Sequence, residues 1–160
     1  MRTDRVVLKI PRDCQLILGQ AHFIKSVEDI YEALITSMPG LQFGVAFCEA
    51  SGKALVRTEG SNDELEIAAR RLALMLRAGH SFVVLLKGAF PINVLNRLKN
   101  VEEVACIYCA TSNSVTAIVV DTGSGRGITG IVDGVSARGA ETDEDRRERH
   151  EFLRKIGYKR

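Results

Sequence analysis

An excess of charge of either sign is missing from these 160 residues: 22 Lys and Arg face 20 Asp and Glu, for a net charge of +2. Without a basic run or face there is no electrostatic footprint for nucleic acid or for an anionic membrane. Long apolar runs are missing too. None approaches the roughly 20 residues that cross a bilayer, and the opening MRTDRVVLKIPRD is too short and too interrupted by Lys9 and Pro11 for a signal peptide. The expectation is a soluble cytoplasmic protein with neither nucleic acid nor membrane as partner. Cysteine is scarce, and its one C-x-x-C, Cys106 and Cys109, lies in the strand-like VACIYCAT. Residues three apart on a strand point to opposite faces, about 10 Å apart along the axis, so a shared metal is excluded. No histidine stands at finger spacing, which leaves buried free thiols in a reducing compartment. Linkers, internal repeats and low-complexity segments are also absent. With 46% hydrophobic residues, the chain is expected to form a single domain over residues 1–160.

What the chain does have is an alternation of short strand-like runs with longer helical ones, the pattern of an α/β protein. Strands are expected at 5–10, 15–18, 42–48, 54–57, 81–86, 101–110, 115–120 and 128–132. Ser26 is placed to cap a helix whose apolar stripe is Val27, Ile30, Ala33 and Leu34, stopped by Pro39 and Gly40. Asn62 begins the strongest helix, with acids in its first turn and Gly79 as its stop. Pro91 fits the first turn of a short helix to Lys99. Thr142 caps a charged terminal helix in which only Phe152, Leu153 and Ile156 are suited to docking. The fold class read from this is a single compact α/β domain, a mixed β-sheet packed with helices.

The run DTGSGRGITGIVD, Asp121 to Asp133, is the densest local signal. Glycine lets backbone N–H groups turn toward one point, and Arg126 adds a fork of donors, so Gly125, Arg126 and Gly127 suit a phosphate-sized anion. A tightly turning glycine hairpin explains the same residues equally well. Gly125, Gly127 and Gly130 satisfy G-x-G-x-x-G, but Ile-Val follows rather than a helix, which argues against a Rossmann turn. Neither H-R-D nor D-F-G accompanies it, as a protein-kinase loop would require. Ser51-Gly52-Lys53 lacks the earlier glycine and the following Ser or Thr of a P-loop.

Several segments together carry a resemblance that no single motif does. GQAHFIKSVEDIYEAL, FGVAFCEASGKALVR, AGHSFVVLLKGAFPINVLNRLKNVEEV, CATSN, GRGITGIVDG and FLRKIGYK are similar, in this order and over nearly the whole chain, to the adenosine-specific kinase family. The resemblance implies an α/β domain that binds adenosine or AMP, associates into homo-oligomers, with a trimer or hexamer expected, and is linked to phosphoryl transfer and histidine phosphorylation. ATP or another phosphate donor and magnesium are implied in the same way. Non-catalytic binding or sensing of adenosine or AMP is the alternative.

Against that background, His80 in AGHSF is the first choice for a nucleophile or phosphoryl carrier at a strand end, unless it merely bonds backbone at a corner. His22 in GQAHF is the second. Lys87 closes the central strand, where an ammonium meets phosphate or simply snorkels, and Asn93 and Asn96 follow on the next helix. Glu49 is suited to a ribose hydroxyl, a metal or a turn cap. Asp133 and Asp121 bracket the glycine run, as a base, a magnesium ligand or ordinary turn residues. The expectation that joins these readings is one nucleoside pocket shared by Arg126, His80 and Lys87.

Overall fold

Phe82 to Leu86 are all fully buried, so the strand that carries them must have neighbours on both edges and cover on both faces. The computed structural model, which describes residues 1–160, supplies both. The strands are β1 (Arg2–Leu8), β2 (Cys14–Ala21), β3 (Gln42–Cys48), β4 (Val56–Gly60), β5 (Ser81–Lys87), β6 (Val104–Thr111), β7 (Val115–Asp121) and β8 (Arg126–Asp133). β5 is the centre of a five-stranded sheet of order β4-β3-β5-β2-β6, and β1-β7-β8 form a second sheet. Every ladder is antiparallel, where the sequence reading expects a mixed sheet. The chain returns along its neighbours through hairpins and arches and never makes a parallel crossover.

Four helices complete the α/β domain: α1 (Ser26–Ile35), α2 (Asp63–Leu76), α3 (Leu95–Lys99), preceded by a 3-10 turn at Pro91–Asn93, and α4 (Asp143–Lys155). The large sheet separates two cores. On one face Leu16, Leu18, Ala46, Val83 and Leu85 pack against α2 and the inner face of the small sheet. On the other, Ile17, Phe43, Val45, Phe47, Phe82, Val84 and Leu86 pack against α1 and α3. The alternation along each strand sends successive side chains to the two cores. Gly44 sets the spacing to α2, because a Cβ there would lie 2.2 Å from the carbonyl carbon of Leu65.

Helix starts follow the capping rules unevenly. The Asn62 side chain accepts the Leu65 N–H at 3.0 Å and opens α2, and Thr142 and Asp145 form a reciprocal capping box on α4. Ser26 does not cap α1 as expected: its buried hydroxyl donates to the carbonyls of His22 and Phe23 at 2.8 Å each. α2 ends at Arg77, itself left-handed at φ +52°, two residues before Gly79. No helix is long and apolar enough to cross a membrane.

The cysteine geometry departs from a regular strand. Leu18 pairs with Cys109 and Gly19 with Ile107, so Tyr108 is passed over in a β-bulge. The bulge breaks the alternation. Tyr108 and Cys109 both pack toward the α2 core, and the Cys106 thiol lies on the same side, 4.0 Å from the Gln20 side chain whose amide oxygen also accepts the Tyr108 hydroxyl. All four cysteines are nevertheless free, but only Cys14 and Cys48 are buried as expected; Cys106 is exposed on the edge strand. Burial pushes the Cys109 thiol up to about 11 and raises those of Cys14 and Cys48, so these three stay protonated at neutral pH.

Candidate functional site

The expected site residues fall at both ends of the large sheet. Register fixes this: Ser81 pairs with Gln20 and Lys87 with Cys14 across β2, while Phe82 pairs with Phe47 and Lys87 with Gln42 across β3. His80 and Lys87 therefore stand at opposite ends of β5, roughly 20 Å apart at the usual rise. One chain does not place them in a single pocket, and the shared Arg126–His80–Lys87 site is corrected accordingly.

At the first end, His80 occupies the left-handed region at φ +63°, a conformation that costs a non-glycine residue of order 1 kcal/mol or more. Two backbone bonds impose it: His80 N–H donates to the Cys48 carbonyl at 2.7 Å, and the His80 carbonyl accepts from Ala21 at 2.9 Å. The half-buried imidazole stacks on Phe47, centroids 5.9 Å apart and planes within 15°. Phe47 is directly opposite Arg57 in the β3–β4 ladder, and opposed residues rise from the same face. That face is the α1 side. Arg57 indeed donates to the Ile24 carbonyl at 2.9 Å and to Glu49 Oε1 at 2.6 Å.

The turn 22–25 between β2 and α1 completes this mouth. His22 N–H donates to the carbonyl of Glu103 at 2.9 Å, and the Lys25 ammonium pairs with both Asp29 and the buried Glu103 carboxylate. Donating hydrogen bonds to Asp29 and Glu103 keeps Lys25 protonated well above the ordinary lysine range. The other Glu103 oxygen is buried without a partner. Phe23 takes φ +90° and Ala54 φ +49°, so with His80 three non-glycine residues around one opening have left-handed backbones. Phe23, Ile24 and Leu55 are large apolar side chains left exposed there, at 60%, 63% and 57%.

At the opposite end, a cleft of about 410 Å³ lies between residues 7–14 and Ser112–Ser114. Lys87 is level with Cys14 on its lining. Asp133 is held by the Thr111 hydroxyl at 2.8 Å and by the Asn113 amide at 3.1 Å. Asn93 accepts the Phe90 N–H at 2.9 Å and so caps its own 3-10 turn.

The glycine run resolves as a tight hairpin. Gly123 N–H donates to Asp121 at 2.8 Å, Gly125 N–H to the Thr122 hydroxyl at 3.2 Å, and Thr122 N–H to the Gly125 carbonyl at 3.0 Å. These amides are engaged within the loop, not convergent on a ligand. Arg126 is engaged as well: its guanidinium lies 3.3 Å from Asp4, 3.7 Å from Asp121 and 3.3 Å from the Met75 carbonyl, on the α2 side of the sheet.

The backbones at His80, His22 and Glu49 thus stand at one end of the sheet, with Arg57, Lys25 and Glu103 as neighbours the sequence reading does not single out. Arg57 was findable from the hairpin register, which sets it opposite Phe47. Glu103, inside VEEV, carries no local mark.

Comparison with known proteins adds the following. A family model described as adenosine specific kinase matches residues 6–159. The crystal structure of PH1918 protein from Pyrococcus horikoshii OT3 superposes with a TM-score of 0.96 at 44% sequence identity, covering 99% of this chain and 98% of that one. No curated protein matches.

Proposed function

This chain belongs to the adenosine-specific kinase family, and from that premise we propose that it binds adenosine or AMP and transfers a phosphoryl group at the His80 mouth. The observation that carries the reading is the imidazole held on Phe47 at the end of β5, beside Glu49, Arg57 and the His22 turn. A histidine fixed by its own backbone and by a ring stack is oriented before any ligand arrives, which is where positioning contributes to rate.

In the proposed reaction an imidazole nitrogen of His80 attacks the terminal phosphorus of a nucleoside triphosphate. An N–P bond forms as the P–O bond to the diphosphate breaks. The 5′-hydroxyl oxygen of adenosine then attacks that phosphorus, the N–P bond breaks, and the hydroxyl proton passes to a carboxylate such as Glu49, giving AMP. Arg57 would hold charge on the transferred group. No three His, Cys, Asp or Glu side chains stand close enough to hold a metal ion between them. A magnesium ion would therefore be held by phosphate oxygens and water, and would supply neutralisation of phosphate charge. Lys87, Asn93 and Asp133 belong to this chemistry only as contributions from a second copy of the chain.

A second reading, binding or sensing of adenosine or AMP without turnover, draws on the Arg57–Glu49 pair, whose charges satisfy each other at 2.6 Å. Incubation with γ-labelled ATP, magnesium and adenosine separates the two. Turnover gives labelled AMP and acid-labile, base-stable label on the protein, lost in His80→Ala and kept in His22→Ala. The reverse pattern moves the phosphoryl carrier to His22, and adenosine binding with no transfer establishes the module.

A further inference from the structure

We propose that the turn His22–Lys25 is a rigid platform for the purine ring, with Phe23 as its stacking surface, an inference that rests on the adenosine reading above. Exposed aromatic side chains are common singly, and this one differs in how it is held. The backbone at Phe23 is left-handed, yet three elements fix it there. The buried Ser26 hydroxyl binds the carbonyls of His22 and Phe23 from α1. Arg57 binds the Ile24 carbonyl from β4. The Glu103 carbonyl accepts the His22 N–H from the start of β6. A turn left to its own preferences would put glycine at such a φ and bury or drop the ring. Here polar contacts over-determine a conformation whose visible product is a phenylalanine in solvent.

Its neighbourhood says what the ring would meet. Phe23, Ile24 and Leu55 are the exposed apolar side chains of this rim. Arg57 joins their two segments, donating to the Ile24 carbonyl and to Glu49, whose N–H donates to the Leu55 carbonyl, and His80 stacks on Phe47, the residue opposite Arg57. Small-molecule sites combine apolar and aromatic walls with a few placed polar groups, and groups of both kinds stand here. The rim is only three side chains, with His22, Lys25 and Lys53 close to them in sequence, not the continuous apolar surface on which a second protein would dock. A planar heterocycle joined to hydroxyl groups matches both halves: the base on Phe23, the sugar toward Glu49 and Arg57.

Phe23→Gly is the informative variant, because it removes the ring and relieves the backbone at once. Calorimetry should find adenosine affinity reduced about tenfold, the size of one base–aromatic stack, with a melting temperature equal to or above that of the parent. Phe23→Tyr should bind within about threefold of it, since the π-face is kept. Unchanged adenosine affinity in Phe23→Gly would overturn the platform and leave the function above standing. A fall in melting temperature would instead make Phe23 structural, and a change of mass in light scattering would assign the rim to a second copy. A parent protein that neither binds adenosine nor forms AMP would overturn both proposals.

Discussion

Arg126 meets the side chains of Asp4 and Asp121 and the Met75 carbonyl, so its charge ties β1, the β7–β8 hairpin and the end of α2 together. Its side chain is only 15% exposed. Removing a mostly buried cation leaves Asp121 without its cationic partner and Asp4 with Arg2 alone, a larger loss than deleting a surface pair. Arg126→Met should therefore destabilise the fold by about 1–3 kcal/mol, read as a lower denaturant midpoint, while AMP affinity at the His80 mouth is retained. Loss of AMP affinity at unchanged stability would restore the anion-cradle reading of the glycine run. From sequence the two readings were balanced because glycine and arginine serve both. The deciding facts are the acceptors Asp4 and Met75, respectively 122 and 51 positions away, which no local pattern contains.

At the scale of elements, apolar runs were legible where burial is complete. The run 81–86 read as a doubly covered strand and is the centre of the sheet, and Asn62 and Thr142 read as caps and act as caps. Ser26 misled because a serine ahead of an apolar stripe has two uses: accepting a helix N–H, or donating back into the preceding turn. Here the preceding turn takes the hydroxyl. The bulge at Tyr108 was invisible for a related reason, since it exists only relative to the register of β2. Close approach between elements is equally silent in sequence, and Gly44 is its sharpest case. Gly44→Ala would drive a methyl into the Leu65 backbone, an atom that no rotamer change moves aside. The expected cost is about 1–3 kcal/mol as α2 is pushed off β3. A thermal melt indistinguishable from that of the parent would mean that the helix shifts freely.

For the molecule as a whole, antiparallel pairing decides which groups meet. A seven-residue central strand puts His80 and Lys87 at opposite ends whatever surrounds it, and that much could be read from 81–87 alone. Which residues join His80 could not, because Arg57 and Glu49 arrive through the β3–β4 ladder and His22 through β2. Within one chain Lys87, Asn93 and Asp133 lie away from the His80 end of the sheet. The part of the molecule with least to do inside one chain is α4. None of its residues is buried, Phe152 and Ile156 are 58% and 44% exposed, and its polar contacts run to its own segment, as in the pairing of Arg149 with Glu141. A 13-residue helix without tertiary packing is marginal in water, and burying Phe152, Leu153 and Ile156 on another copy would supply what is missing. Truncation before Glu141 should leave the thermal melt of the remaining domain within a few degrees of the parent, because no core residue is lost. Light scattering of the same truncated chain should give a smaller assembly than the full chain. Equal masses would place any self-association on the sheets or the cleft and leave α4 as a solvated appendage.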